Sequence, residues 1–431
     1  MIQKITGFFI GFMFIAIFSN AQHVTCGYDF VMKNIQKDKA YADDVNSVFH
    51  EAKNDNTLDR FEEVYKIPIT FHVVWKDSLE NIDDSLFYQQ IDVLNKNYRR
   101  LNANADEVRS EFVDIVGDPK IEFELKEIIR VKTDTTFDVD LFGGGLADYV
   151  KQTSEGGSDA VDVETNLNVW VCDLKKFSIF GQEGKLLGYS YPPAGLPHWP
   201  SDFKAPSPEL DGVVLDFRVV GKNNPYEVKI PGFGDVNTEG KTLVHEIGHY
   251  LGLRHTWGDA QVPLQDGCQF DDGVDDTPNC YQQAMFDCNH DKNSCDQSDM
   301  DDKPDMVENF MDYSEETCMN SFTIGQISIM RGVLRNVRCK LVGNCEHVAN
   351  SDIQQLNLLK LSPNPAHDQV VVIGDVGVNP ISVAIYNTLG RLISKSPLIG
   401  ETINVSNLAE GLYFFEFQMN ENIITKKVLI R

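Results

Sequence analysis

Apolar positions near the start of the chain run together without periodicity. Ile5 to Phe18 carries no charge, Lys4 precedes it, and Ser19-Asn20-Ala21 offers a small-x-small cut before Gln22. That build predicts a secretory signal, too short to read as a membrane span. From Gln22 to about Arg60 the sequence turns charged and helix-prone, without strand signals. Strand character begins at Ile67 to Trp75, where β-branched and aromatic residues follow one another as in a buried strand. Phe87, Ile91, Leu94, Tyr98 and Leu101 then recur at helical spacing, which puts Arg99 and Arg100 outward. Ile121, Phe123 and Leu125 alternate with charged neighbours and predict a strand, as does Asn166 to Leu174, and Val213 to Val220 is a further apolar run. Gly143-Gly144-Gly145 and Gly156-Gly157 punctuate loops without opening a helix, so they do not cradle phosphate. Proline-rich Tyr191 to Pro208 predicts a long surface loop. The set amounts to an α/β domain.

Past Cys345 the pattern changes again. Gln369 to Ile373, Ile381 to Tyr386, Leu412 to Phe417 and Ile423 to Leu429 are short alternating runs between turn signals, which predicts a small antiparallel β-sandwich. The expected organisation is a signal over 1–21, a prosegment over 22–60, a main domain over 61–346 and the sandwich over 355–431.

Composition narrows the class. The 431 residues suffice for two or three domains, and the 42% apolar content is ordinary for a globular protein. A net charge of −27 argues against nucleic acid as a partner, since binding phosphates requires clustered Lys and Arg. Most of that charge serves solubility outside the cell, although acidic loops also hold calcium. After the signal no stretch is long and apolar enough for a transmembrane anchor, so the expectation is export to the medium or the outer cell surface. Nine cysteines in an exported chain imply disulfides with at least one sulfur left over. Cys268, Cys280, Cys288, Cys295 and Cys318 crowd one segment, Cys339 and Cys345 are close enough to pair locally, and Cys172 has no assignable partner.

The candidate chemistry centres on His245-Glu246-Ile247-Gly248-His249. On a helix, His245 and His249 lie one turn apart and within about 40° of each other, so both imidazoles can reach one zinc, with Glu246 beside them as a general base. His255 would sit about 9 Å further along a continuing helix, far beyond a zinc bond of about 2.0–2.1 Å. It joins the site only if the chain turns back, and Gly252 is placed to end the helix in a left-handed conformation. Three imidazoles leave one position for water, whose proton Glu246 would take as it attacks a peptide carbonyl. Asp271-Asp272-Gly273-Val274-Asp275-Asp276-Thr277-Pro278 is either a solvated turn or a calcium loop, and it lacks EF-hand spacing. Cys26-Gly27 in the charged prosegment is either half of an ordinary disulfide or a reserved thiolate ligand for the zinc.

With Gly252 and His255 at their spacing, the helix resembles the zinc helix of the metzincin peptidases. Val274-Asp275-Asp276-Thr277-Pro278 and Glu308-Asn309-Phe310-Met311-Asp312-Tyr313 resemble the pappalysin-type (ulilysin-like) branch of that group. The resemblance implies a twisted sheet plus the zinc helix above a loop-rich, disulfide-stapled lower half. It implies a latent zymogen in which Cys26 caps the zinc, and calcium held by Asp272, Val274, Asp275, Asp276 and Thr277. Tyr281 stands where that branch offers a further acidic ligand. Met311 would form an apolar floor beneath the metal, and Tyr313 would donate a hydrogen bond to the tetrahedral intermediate. Glu316 matches an acidic residue at the base of the S1′ pocket, favouring Arg or Lys after the scissile bond, where the plain reading is an exposed loop glutamate. Disulfides Cys268–Cys295 and Cys288–Cys318 are implied as well, with no counterpart for Cys280. At the other end, Ser362-Pro363-Asn364-Pro365, Gly390-Arg391, Gly411-Leu412-Tyr413 and Lys426-Lys427-Val428-Leu429-Ile430 together resemble the type IX secretion sorting domain, which implies the secretion machinery as a partner. An adhesive or carbohydrate-binding sandwich is the competing reading of that module.

The expectation is therefore a secreted zinc endopeptidase acting on proteins or peptides. A non-catalytic adhesin on a peptidase scaffold is the alternative from another class.

Overall fold

The computed structural model describes residues 26–28, 63–139, 145–179, 182–193, 205–236, 238–259, 266–295, 303–343, 345, 359–374, 382–387, 391–398, 402–409, 411–418 and 423–431. The signal segment, the prosegment apart from 26–28 and most of the proline-rich loop lie outside them. The chain forms two compact units, Met1–Cys345 and Glu346–Arg431.

The first unit is built on strand β1 (Tyr65–Trp75), followed by helix α1 (Asp84–Tyr98), β2 (Ile121–Lys132) and β3 (Leu167–Cys172). A hairpin of β4 (Phe177–Ile179) and β5 (Gln182–Gly184) precedes β6 (Gly188–Ser190) and β7 (Val213–Asp216). The main sheet has the order β2-β1-β3-β7-β6. Its strands are parallel except β6, which runs antiparallel to β7 and ends the sheet. β3 is buried at every position, as expected of a strand covered on both faces.

Helix α1 is capped by Asp83, whose side chain accepts from Ser85 N at 2.9 Å. It stops at Tyr98, where the apolar spacing suggested one more turn. Arg100 takes φ 48° and Leu101 lies exposed, because Tyr98 has already met its partner on the next helix. That helix, α2 (Lys241–Tyr250), follows the hairpin of β8 (Val228–Ile230) and β9 (Gly234–Val236). Tyr98 Oη donates to Val244 O at 3.0 Å, and Gln90 Nε2 donates to Gly240 O at 2.9 Å. Leu243, Val244 and Ile247 share one apolar core with Phe87, Leu94, Ile67 and Val169, so the helix carrying the histidines rests on the sheet.

Beyond α2, helix α3 (Ile324–Arg335) is the only α-helix among the described residues of the unit's second half. Disulfides Cys268–Cys295, Cys288–Cys318 and Cys339–Cys345 cross-link the loops. Closing loops of 27 and 30 residues removes about 3.5 kcal/mol of chain entropy each from the unfolded state, which suits a region poor in regular structure. Cys172 and Cys280 are buried and free, and burial pushes both thiols well up, so neither is a nucleophile.

The second unit holds a three-stranded sheet, β10 (Leu359–Ser362), β11 (Gln369–Gly374) and β14 (Thr402–Asn404). Its four-stranded sheet runs β13 (Leu392–Pro397), β12 (Ser382–Asn387), β15 (Gly411–Gln418), β16 (Ile423–Ile430). The strand pairings within both sheets are antiparallel, and Val370, Val372 and Ile403 from one sheet share a core with Val383, Ile385, Phe415, Phe417 and Val428 from the other.

Candidate metal centre and cleft

Both ends of α2 are fixed by residues outside its regular turns. At its start Gly240 offers no side-chain cap. The Glu316 carboxylate substitutes, accepting from Lys241 N at 2.9 Å, from Thr242 Oγ1 at 2.7 Å and from Glu239 N. An anion at a helix N-terminus meets both the unsatisfied N–H groups and the dipole. At its end Leu253 N bonds Gly248 O at 2.9 Å and Gly252 N bonds His249 O at 2.8 Å, around Gly252 at φ 94°. This double bond pattern is the Schellman motif, and it performs the reversal that His255 requires.

The reversal brings three Nε2 atoms together. His249 Nε2 lies 3.0 Å from that of His245 and 3.1 Å from that of His255. On the far side of each ring, Nδ1 faces an acceptor: Phe310 O at 2.7 Å for His245, Leu253 O at 2.8 Å for His249 and Asp259 Oδ1 at 2.5 Å for His255. Those acceptors hold the proton on Nδ1, so all three Nε2 atoms are bare lone pairs pointing at one another. Mutually facing lone pairs repel unless a cation lies between them. Two nitrogens bound tetrahedrally to zinc are about 3.3 Å apart, close to the observed spacings. The chemistry of the donor set therefore fits zinc. Burial keeps the rings neutral, holding His245 down to about 4 and the other two well below the usual histidine value. Cys26 completes the group: its Sγ and the three ring nitrogens all lie within 4.8 Å of one another.

Cys26 is carried there by three residues seated against the edge strand β6. Gly27 N donates to Gly188 O at 2.9 Å, and Cys26 bridges Gly188 in parallel. A Cβ on Gly27 would stand 2.6 Å from Tyr189 Cβ, so only glycine passes between them. Tyr28 stacks on His249 at 3.8 Å between ring centroids, 8° from parallel. The sequence pointed to the Cys-Gly pair but not to this tyrosine, which has no motif of its own.

Glu246 sits between the histidines and β6. Ser190 Oγ donates to Glu246 O at 2.8 Å and approaches its carboxylate Oε2 at 3.3 Å. A Cβ on Gly188 would lie 3.0 Å from Glu246 Cγ, so the bare backbone of the edge strand admits the carboxylate. Beneath the rings, Met311 is fully buried with its sulfur against α2, where a Cβ on Gly248 would fall 2.4 Å from Sδ. Tyr313 packs its ring 5.6 Å from that of His245 and 5.0 Å from that of His255.

A cleft pocket adjoins the centre, lined by Cys26, Leu187, His245, Glu246, Phe286, Tyr313, Glu316 and Met319 among others. Glu316 is buried there, not exposed on a loop. Burial raises its pKa against the opposing pull of the hydrogen bonds from Thr242 and from the Lys241 and Glu239 backbone. The Lys241 ammonium turns onto Glu316 O and Met319 O, at 2.5 and 2.8 Å. Leu187, Phe286 and Lys241 are pocket residues that the sequence pattern did not single out, because they lie in short segments without periodicity.

The acidic loop lies apart from this pocket. Asp272 Oδ1 accepts from Val274 N at 2.9 Å, and Asp276 Oδ2 accepts from Gly325 N at 2.8 Å. Asp272 Oδ2, Asp276 Oδ1 and Thr277 Oγ1 are buried oxygens without a hydrogen-bond partner among the described residues. Burial, then the charge of Asp271, pushes the Asp272 carboxyl well up.

The family model of pregnancy-associated plasma protein-A matches residues 234–335, and that of the secretion system C-terminal sorting domain matches residues 360–431. An extracellular metalloprotease of Arthroderma benhamiae is 28% identical over 272 residues, spanning 62% of this chain and 71% of that protein. A promirolysin mutant of Tannerella forsythia has a similar structure, with TM-score 0.60 and 28% identity over 74% of this chain and 97% of its own. Mirolysin in complex with a compound is similar at TM-score 0.54 and 30% identity, over 67% of this chain and all of that chain (100%).

Proposed function

Because the chain belongs to the pappalysin-type zinc metallopeptidases and carries a C-terminal secretion sorting domain, we propose that it is a secreted endopeptidase made as a latent zymogen, with His245, His249 and His255 holding one zinc. The observation that carries the reading is the convergence of three unprotonated Nε2 atoms on one point beside Glu246. Bound there, zinc supplies a Lewis acid that polarises a peptide carbonyl and makes water a nucleophile at neutral pH. Glu246 takes the proton of the attacking water and passes it to the departing amine. Ser190, bonded to the Glu246 backbone and close to its carboxylate, keeps that side chain between substrate and histidines. Tyr313 donates a hydrogen bond to the developing oxyanion.

Extended peptides pair with exposed strand edges, and β6 is the edge beside Glu246. In the latent form Cys26-Gly27 holds that edge, with the Cys26 thiolate in the position that water later takes. Glu316 at the pocket favours Arg or Lys in the residue after the scissile bond. Three hydrogen bonds occupy its carboxylate, which leaves Oε1 one further lone pair for a cationic side chain. Calcium fits the acidic loop, where Asp272, Asp276 and Thr277 supply buried oxygens that lack a partner among the described residues, and the carbonyls of Val274 and Asp275 complete the expected ligand set. Adding calcium to chelator-stripped protein should raise the thermal midpoint of wild type and not of Asp272→Asn. An equal rise in both proteins would exclude this loop.

The whole reading is tested by digesting a peptide library with the matured protein, with and without phenanthroline. Chelator-sensitive internal cleavage, enriched before Arg and Lys, is expected. Stoichiometric zinc without any cleavage would favour a non-catalytic scaffold.

A further inference from the structure

The three candidate ligands are not held alike. His245 and His249 present Nδ1 to backbone carbonyls, whereas His255 presents it to a carboxylate, Asp259 Oδ1 at 2.5 Å. The local backbone is shaped for that contact. Gly258 and Asp259 take φ of 61° each, two left-handed residues in succession, and this turn folds the Asp259 side chain back onto the histidine four residues earlier. A left-handed non-glycine residue is strained and persists where its surroundings require it, although Asp tolerates the region better than most. Gly258 is pressed against the next loop: a Cβ there would lie 2.6 Å from Asp271 N. Both partners are buried, with side-chain exposures of 0% for His255 and 2% for Asp259. Arg254 stands on the other carboxylate oxygen, Nε to Oδ2 at 3.5 Å, and donates to Gly258 O at 2.9 Å. Trp257 lies flat on the His255 ring at 4.2 Å, 8° from parallel.

A backbone carbonyl offers a dipole to the imidazole N–H, and a carboxylate offers a full charge. The charge pulls the Nδ1 proton harder and pushes electron density toward Nε2, which makes that nitrogen a stronger donor to a metal. Arg254 balances the buried charge from the other carboxylate oxygen. We infer that Asp259 is a positioning residue for His255, fixing its tautomer and strengthening its hold on the metal, so that the third ligand is the one tuned by charge. The inference rests on the zinc reading above.

The test uses full-length wild type, Asp259→Asn and Asp259→Ala, with zinc affinity measured by competition against a chromogenic chelator. Asn keeps the size and the acceptor oxygen and removes only the charge. Asp259→Asn should bind zinc about 10–100-fold more weakly, and Asp259→Ala at least as weakly as that, measured where the zinc-free Asn variant, whose Arg254 has lost its counter-charge, is still folded. Wild-type affinity in the folded Asp259→Asn variant overturns the inference, because the residue would then serve the loop alone. If Asp259→Ala fails to fold, the Asn variant decides by itself. Failure of wild type to take up zinc would instead defeat the zinc reading.

Discussion

Gly248 lies mid-helix in α2, where replacing glycine by alanine ordinarily stabilises by about 1 kcal/mol. Here the added methyl would come 2.4 Å from Met311 Sδ and 3.1 Å from its Cε. Non-bonded heavy atoms rest at about 3.5–4.0 Å, so sulfur and helix must separate by roughly 1 Å or more. Overpacking of a filled core costs about 1–3 kcal/mol, and the flexible thioether puts this site toward the lower part of that range. The two effects oppose, and Gly248→Ala should come out neutral to destabilising by about 2 kcal/mol. In a Met311→Ala background the obstruction is gone and the same change should stabilise by about 1 kcal/mol. Urea unfolding of wild type, both single variants and the double variant gives the coupling directly, expected at about 1–3 kcal/mol. Stabilisation of the wild-type background by about 1 kcal/mol, or a cycle additive to within about 0.5 kcal/mol, would refute the claim that Met311 packs against the helix through the space glycine leaves.

Two further outcomes follow from other parts of the molecule. Cys26→Ala should make the uncut chain cleave peptides at least about tenfold faster than the uncut wild type, since the reserved sulfur is lost; equal rates before maturation would remove the latency role of Cys26. Burial raises the pKa of Asp173, but hydrogen bonds from Lys175 and Arg218 outweigh it and leave the carboxyl below its usual value. A depressed carboxyl stabilises the fold above its unfolded pKa, near 3.8, and loses that contribution as pH falls through the lower folded value. The stability gap between wild type and Asp173→Asn should therefore be full at neutral pH and close in acid below that value. A gap constant down to strong acid would contradict the ion-pair account.

Legibility in the sequence followed contiguity. The zinc helix, its left-handed stop at Gly252 and the return of His255 were readable because spacing alone demands them. Strands β1 and β3 announced themselves through β-branched and aromatic runs, and β2 through the alternation of Ile121, Phe123 and Leu125. Strand β6 did not, because three residues, Gly188-Tyr189-Ser190, carry no period, yet that edge positions Glu246 and receives Cys26-Gly27. Helix α3 went unread, because its capping box of Thr323 and Gln326 and its apolar residues sit in a sequence otherwise rich in loops. Asp259 was silent for a different reason. Its role depends on two successive left-handed residues, and nothing in the one-letter pattern distinguishes that turn from an ordinary Gly-Asp loop. The helix α1 overrun to Leu101 shows the opposite error, where periodicity continued past the point at which Tyr98 bonds Val244 and the chain departs.

The central claim is that His245, His249 and His255 hold the metal while Glu246, on the helix that carries the first two, moves the proton. Glu246→Ala, purified and matured alongside wild type, separates them when zinc content and peptide cleavage are measured on the same sample. The account predicts bound zinc nearly unchanged and cleavage reduced by about 10²–10⁴-fold or more. Chelator-sensitive cleavage at the wild-type rate in that variant would contradict it.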